Sequence, residues 1–500
     1  MGASSIEAVN RAFTRPGAQG WAALAAVAVL AVTGFSALRS VRAPAPPPGP
    51  VPADEFDAGR ALGHVEAIAA RPHPVGSAAN DAVREHLVTT LRGLGLDTEV
   101  QDTVSVQGAK LSASAGGTGM ARVRNVIAVL PGTASTGRVL LTAHYDSVQN
   151  GPGANDDAVG VAAVLESARV LAAGPRPRND VVFLLTDGEE GGLFGAKAFV
   201  DQHPLARDGG VVVNLEARGS TGPAIMFETA RDNAGLIGVY ARAPRPVGTS
   251  FAVEVYRRMP NNTDFTPFLA AGFTGLNSAH VDGVARYHTP LDTPSAVDLR
   301  TLQHHGANLL GLARELGGAD LPGLRSNGDA TYFPVPGGRL LHYPGSWTWP
   351  LAAAAALGVL ALGWLVRRRG LASLPRQAVA AGAVLVPLVA APAVAQGFWA
   401  LMKVIRPEFT ALAVDPYRPW WFRFAVLSAT AAVVLAWYAL LRRRLTPAAL
   451  ATAGLGWLAA LGVVLAAVAP GGSYLAALPA LAGALAGIPA VLLGARAGAG

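Results

Sequence analysis

Beyond Tyr343 the chain runs to Gly500 without a histidine and with only two acidic residues, Glu408 and Asp415. Five apolar stretches fill that length, at about 347–366, 377–400, 420–441, 447–469 and 474–495. Each approaches the roughly 20 residues that a helix rising 1.5 Å per residue needs to cross a hydrocarbon core. This half is therefore predicted to be an all-α transmembrane domain of about five helices, spanning 347–496. An ion-coupled transporter carries ionisable groups inside its spans. None stands in the middle of these runs, so they read as an anchor or a partner-binding module. Chemistry has to be sought earlier in the chain.

A sixth apolar run, "WAALAAVAVLAVTGFSAL" from Trp21 to Leu38, follows Arg11 and Arg15. It is expected to be an uncleaved signal anchor over 20–38, behind a cytoplasmic tail of residues 1–19. "APAPPPGPVPA" then gives a stiff Pro-rich linker over 39–54. The arginine triplets at 367–369 and 442–444 follow the second and fourth of the six runs, and Arg496 follows the last. A cytoplasmic N-terminus puts all three clusters inside, so the positive-inside rule selects that topology. Arg39 and Arg42 oppose it mildly. The expectation is a multi-pass integral membrane protein with residues 55–320 held outside the cytoplasm and 321–346 as a juxtamembrane linker. The net charge of +7 belongs largely to such membrane-flanking arginines. It forms no stripe suited to nucleic acid, which is not expected as a partner.

Between residues 55 and 320, short β-rich runs ("NVIAVLPG", "RVLLTAHYD", "DVVFLLTD", "GVVVNLEA", "GFTGLNSA") alternate with helical patterns. Strands separated by crossover helices predict an α/β fold with a mostly parallel sheet flanked by helices. Such sheets gather ligands at the carboxyl ends of their strands. "TAHYDSV" places His144 and Asp146 at one such end. "GANDDAVG" follows with Asp156, then "LLTDGEEGG" with Glu189 and Glu190, "NLEARG" with Glu216, and "YHTPLDT" with His288. The chain has no cysteine, so any metal has to be held by His, Asp or Glu. Zinc accepts imidazole nitrogen and carboxylate oxygen, and two zinc ions need a shared carboxylate to offset their repulsion. Asp146, two residues from His144, suits the group that accepts the imidazole's other N–H. Of the adjacent Glu189 and Glu190, one can bind metal while the other moves protons.

These five motifs, in this order, resemble the co-catalytic di-zinc aminopeptidase family, and within it the membrane-bound branch of endoplasmic-reticulum and vacuolar metallopeptidases. The motifs span His144 to Thr293, and the wider likeness covers roughly 55–320. The resemblance implies a zinc-exopeptidase (phosphorylase/hydrolase-like) fold and two Zn2+ ions. It implies His144, Asp156 and Glu216 on one ion, with Asp156 bridging to a second ion completed by Glu190 and His288. It implies Glu189 as general base, Asp146 as the residue orienting His144, and a cis peptide between Asp156 and Asp157. Founding soluble members carry Asp where Glu216 stands. Tyr287, Arg218 and Asp264 are weaker candidates for substrate contact, each set against a structural role such as an ion pair or a helix cap. His280 is expected to be a core residue.

The function so implied is a membrane-anchored metallo-aminopeptidase acting on peptides. Two alternatives stand beside it: a glutaminyl-cyclase-like enzyme with one zinc, and a non-enzymatic receptor or scaffold module.

Overall fold

The computed structural model describes residues 18–40, 42–107, 119–412 and 416–494. Arg11, Arg15, Asp415, Arg496 and nearly all of the expected cytoplasmic tail lie outside them. The elements in chain order are α1 (Ala18–Ser40), α2 (Ala58–Ile68), α3 (Ala78–Gly93), β1 (Asp97–Gln107), β2 (Gly119–Leu130) and β3 (Arg138–His144). There follow α4 (Val159–Ala173), β4 (Asp180–Thr186), α5 (Phe194–Gln202), β5 (Val211–Ala217), β6 (Ile225–Thr229), α6 (Ala234–Tyr240), α7 (Ser250–Tyr256), α8 (Phe265–Ala270) and β7 (Thr274–His280). The chain continues through α9 (Leu299–Gly318), β8 (Ala330–Val335) and β9 (Arg339–Pro344). Five long helices close it: α10 (Thr348–Arg368), α11 (Leu374–Ile405), α12 (Trp420–Leu441), α13 (Pro447–Val468) and α14 (Tyr474–Gly494).

Seven strands form one mixed sheet in the order β1-β2-β4-β3-β5-β7-β6. Its centre, β4-β3-β5-β7, is parallel throughout. β1 and β2 pair antiparallel on one side and β6 pairs antiparallel with β7 on the other. The sequence-predicted parallel block is thus present in four of its five strands. The exception is the "NVIAVLPG" strand, β2, which runs against β4. β1 and β6 were not among the predicted strands. β1 alternates buried with exposed residues at the sheet margin, so it lacks the continuous apolar run of a central strand.

The central strands are apolar on both faces because both are covered. Along β3, Val139 and Leu141 join one core while Leu140 joins the other; β4 and β5 alternate the same way. This is the period-two geometry of a strand sandwiched between helices. α2, α4 and α9 contribute to the first core, α5 and α8 to the second. Register brings the strand ends level: His144 pairs with Thr186, and Ala217 with His280. The carboxyl ends of the parallel block therefore share one edge.

The five closing helices match the five apolar runs, and each is long and apolar enough to cross a membrane. α1 covers the expected N-terminal span, with an apolar stretch over Val27–Arg39. The stretch expected as a juxtamembrane linker contains the β8–β9 hairpin, whose Tyr332 is buried against the α/β core. The α/β domain meets the helices at one set of ends. Ser250 Oγ donates to the Gly471 carbonyl at the α13–α14 turn, 2.6 Å away. Phe333 stacks on Tyr474 with ring centroids 4.4 Å apart, and Arg423 near the start of α12 pairs with Asp282 at 3.3 Å.

Candidate metal centre

His144 is the last residue of β3 and is buried. Its Nε2 faces Asp156 Oδ1 at 3.3 Å, and its Nδ1 lies 3.0 Å from the main-chain oxygen of Asp146. The Asp146 carboxylate stands 3.5 Å from Nδ1 and is engaged elsewhere. It accepts the main-chain N–H of Glu189 at 2.9 Å and of Glu190 at 3.2 Å. Asp146 thus ties the end of β3 to the turn after β4, a wider task than orienting one imidazole.

Asp156 sits in the turn that leads into α4. Gly153 opens this turn with φ +65°, and a Cβ there would come within 2.5 Å of the Asp156 carbonyl oxygen, so a glycine is required. The peptide between Asp156 and Asp157 is cis, as the family resemblance implies. Asp292 clamps the turn: its carboxylate accepts from Asn155 N–H (2.9 Å), Asn155 Nδ2 (2.6 Å) and Asp156 N–H (3.2 Å). The Asp156 carboxylate is left with its two oxygens pointing to two imidazoles, Oδ1 to His144 and Oδ2 to His288 Nε2 at 3.1 Å. His288 Nε2 also lies 3.0 Å from Glu190 Oε2. Glu216, one residue before the end of β5, has Asn214 Nδ2 at 3.4 Å from Oε1.

Two triads result, His144/Asp156/Glu216 and Asp156/Glu190/His288, each with three donor atoms within 4.8 Å of one another. A third grouping adds Glu189 to His144 and Glu190. Ligands about 2.0–2.1 Å from a tetrahedral ion stand about 3.3–3.4 Å apart. The donor separations of 3.1 and 3.3 Å across Asp156, and of 3.0 Å between His288 and Glu190, come close to that spacing. Glu190 Oε1 is buried and has no hydrogen-bond partner among the described residues. One imidazole and two carboxylates per triad is a donor set that zinc accepts.

Electrostatics point the same way. Burial pushes Glu190 up to about 7 and Glu216 up to about 8, with Asp156 adding to both shifts. Burial also holds Glu189 and Asp157 well above the ordinary carboxylate range. Asp156 is the exception: burial opposes its charge, but hydrogen bonds to His144 and His288 outweigh it and keep the carboxylate ionised. Burial opposes the charge on His288 too, yet Asp156 and Glu190 raise it to about 9. This many buried acids sharing so few cations is an arrangement that divalent ions relieve.

The structure brings His144, Asp146, Asp156, Glu189, Glu190, Glu216 and His288 together. Tyr287 stacks on His288 with centroids 3.7 Å apart, and the Arg218 guanidinium lies 5.1 Å over the Tyr287 ring. Asp264 is buried and accepts a hydrogen bond from Thr186 Oγ1. It precedes α8 without making a side-chain cap bond. His280 is buried edge-to-face with His305. Sequence reasoning did not single out Asp292, although it lies in the "YHTPLDT" motif four residues after His288. Asp187 was also missed; its carboxylate accepts from Asn80 Nδ2 (3.1 Å) and Arg124 N–H (3.0 Å) behind Asp146.

Residues 125–313 match the model of peptidase family M28. The chain is 31% identical over 308 residues to endoplasmic reticulum metallopeptidase 1 of Mus musculus, covering 58% of this chain and 34% of that protein. It is 31% identical over 264 residues to the vacuolar membrane protease of Pyrenophora teres f. teres (strain 0-1), covering 48% and 27%. The chain thus spans about a third of the length of the curated relatives it matches. Among solved structures it is similar to an aminopeptidase from Aneurinibacillus sp. strain AM-1 (TM-score 0.43, 16% identity, 53% of this chain and 95% of that one). A glutaminyl cyclase from Porphyromonas gingivalis has the same TM-score, at 21% identity, covering 53% and 99%.

Proposed function

We propose, for a chain whose residues 125–313 match the model of peptidase family M28, that it is a membrane-anchored exopeptidase, an aminopeptidase, with two zinc ions. The observation that carries the reading is the division of one carboxylate between two imidazoles, with Asp156 Oδ1 toward His144 and Oδ2 toward His288. His144, Asp156 and Glu216 would hold one ion, and Asp156, Glu190 and His288 the other. When bound, such a pair polarises the scissile carbonyl and lowers the pKa of water to about 7.

The chain's own residues supply the rest. Glu189 takes a proton from the attacking water and returns it to the leaving amine nitrogen. Burial makes its carboxylate more basic than usual, which suits a proton acceptor working near neutrality. Asp146 fixes the backbone of Glu189 and Glu190 through two N–H bonds, so base and ligand keep their separation. Tyr287, stacked on His288, lines the approach for the substrate carbonyl.

The topology proposed places the N-terminus in the cytoplasm and the α/β domain outside. It is supported by where the domain touches the helices: the starts of α12 and α14 and the α13–α14 turn. The arginine triplets stand at the opposite ends, after α10 and α12. Trp347, Trp349, Trp420 and Trp421 are exposed at the domain-facing ends, where an aromatic belt is expected.

Glu189→Gln tests the mechanism on the purified chain. Hydrolysis of aminoacyl substrates should fall by about 10²–10⁴-fold while zinc content stays at about two per chain. Activity that survives the change would remove Glu189 as the base. One zinc per chain, together with cyclisation of N-terminal glutamine, would replace the peptidase reading by the cyclase.

A further inference from the structure

We infer that the membrane domain holds an anionic phospholipid, with an acyl chain in the groove between α10, α11 and α13 and the phosphate against Arg367. The site is separate from the metal centre and does not depend on what that centre does.

Small residues on three helices, Gly363 of α10, Ala378 of α11 and Gly456 of α13 among them, leave a groove of about 570 Å³ where larger side chains would meet. Two indole rings, Trp364 and Trp457, stand along it. Trp457 Nε1 donates to the Ala381 carbonyl at 2.9 Å, and the Arg368 guanidinium lies 5.0 Å over the Trp364 ring, so both rings are held. Leu360, Trp364 and Leu374 are exposed, and the groove opens sideways to the bilayer past them. Along α10 it runs from Val359 to Arg367, about 12 Å at 1.5 Å per residue. That is most of the roughly 15 Å half-thickness of the hydrocarbon core. An acyl chain of one leaflet has that depth.

The polar groups along the groove divide into two kinds. Gln377 Nε2 donates to the Gly363 and Ala372 carbonyls at 3.2 and 3.4 Å, and Thr452 Oγ1 to the Ala448 carbonyl at 2.9 Å. Both are satisfied by the helices themselves. Arg367, in the last turn of α10, is exposed at the mouth and makes no ion pair or side-chain hydrogen bond among the described residues.

The distribution of charge says what such a mouth lacks. Arg376 and the two triplets put seven guanidinium groups at this end of the helices. Among the described residues none of them has a carboxylate partner. The only described acid beyond Tyr343, Glu408, pairs with Arg406 at 3.2 Å, after the far end of α11. A phospholipid phosphate supplies the missing counter-charge, and a guanidinium can take it through two parallel N–H bonds. Basic pockets between transmembrane helices favour anionic headgroups for this reason. Arg367 differs from the other six arginines in lining the apolar groove, so it can hold headgroup while the groove holds chain.

The test uses the full chain in detergent micelles doped with phosphatidylglycerol or with phosphatidylcholine of the same acyl chains, and native mass spectrometry counts the lipid retained. One phosphatidylglycerol should stay on each chain, preferred over phosphatidylcholine by about fivefold or more. Arg367→Gln should bring that ratio close to one, and Arg367→Lys should keep part of it. A Cβ at Gly456 meets nothing within 4 Å, so Gly456→Leu can fill the groove without forcing the helices apart. It should lower retention of both lipids several-fold. Arg443→Gln removes an equal charge away from the groove and should change neither number. A ratio near one in the unaltered protein overturns the phosphate contact. A ratio lost equally in Arg443→Gln replaces the site by a diffuse basic surface, and retention untouched by Gly456→Leu removes the groove as the seat of the chain. Displacement of the lipid by an equal concentration of inorganic phosphate would mean an anion site without a lipid, and overturns the inference as well.

Discussion

The two triads share Asp156 but are built from different material. In the inner one, His144, Asp156 and Glu216 are 1%, 4% and 5% exposed and two of them close central strands. In the outer one, Glu190 lies in the turn after β4 and His288 in the loop between β7 and α9, its side chain 37% exposed and its φ at +56°. Sheet register fixes His144 and Glu216, the turn at Asp156 fixes the shared carboxylate, and loop conformation fixes Glu190 and His288. If each triad holds an ion, as proposed, the closed pocket would retain its ion and the open one would admit substrate.

Asp156→Asn makes the largest break, because it removes the carboxylate that, among the described residues, is common to both triads. Zinc content should fall from about two per chain toward zero, with hydrolysis lost. His288→Ala should instead leave about one zinc per chain, since the inner triad stays whole, and a chelator titration of the unaltered protein should show one ion leaving well before the other. Metal analysis checks both. Equal losses in His144→Ala and His288→Ala would erase the distinction between the pockets.

Asp292→Ala is the next step down. It removes no donor atom, yet three hydrogen bonds to Asn155 and Asp156 disappear with it. Loss of a partner that orients a metal ligand typically costs 10- to 100-fold in metal affinity. Because Asp156 serves both pockets, the loss should fall on both ions, measurable as parallel shifts of two binding constants. A shift confined to one ion would mean that Asp292 steadies only the loop it belongs to.

The pH response separates metal-free from metal-loaded protein. Without metal, burial raises Glu190 to about 7, Glu216 to about 8, Asp187 to about 7 and Asp264 to about 6. An acid whose folded pKa is raised binds more protons folded than unfolded, so its contribution to stability falls as pH climbs from about 4.5 through the folded value. His288, raised to about 9, contributes stability below about 6.5 that is lost on the way to pH 9. Asp156, held low, opposes this only below about 5, whereas His280, which burial lowers to about 4, and His305, lowered likewise, oppose it below about 6.5; the raised acids and His288 outnumber them. The metal-free protein should therefore melt at a higher temperature at pH 5.5 than at pH 8.5. Zinc should reverse that order, because it binds the deprotonated ligands and releases protons. Calorimetry at both pH values decides it; an unchanged order with zinc would mean that the ligands keep their protons.

How much of this was legible in the sequence follows from which interactions are local. β3, β4 and β5 announce themselves as apolar runs because both faces are buried, and the polar residues at their ends stand out against those runs. The five long helices are legible as apolar runs for a different reason: each is long and apolar enough to cross a membrane. β1 was hidden by its alternation with polar residues at the sheet margin, and the β8–β9 hairpin by a Pro- and Gly-rich composition that reads as linker. Asp292 and Asp187 act through hydrogen bonds to residues far away in the chain, at separations of 137 and 107 positions. No spacing or period in the sequence carries that information.

The weakest link in the comparison joins the outer pocket to the membrane helices. Arg423 of α12 reaches Asp282, six residues before His288, at 3.3–3.4 Å. Both side chains are more than a third exposed, 37% and 42%, so solvent screens the pair. Such pairs contribute about 0–1 kcal/mol. Arg423→Ala should accordingly change melting by little, and KM by less than about fivefold. If α12 merely neighbours the loop, the charge swap Asp282→Arg with Arg423→Asp should behave like either single change. If the helix sets the position of His288, each single change should weaken the outer ion while leaving the inner one bound, and the swap should restore it. The inner ion is the internal control in that experiment, because none of the hydrogen bonds or ion pairs of its triad among the described residues reaches a membrane helix. A loss shared by both ions would trace to the turn at Asp156 and not to the helix.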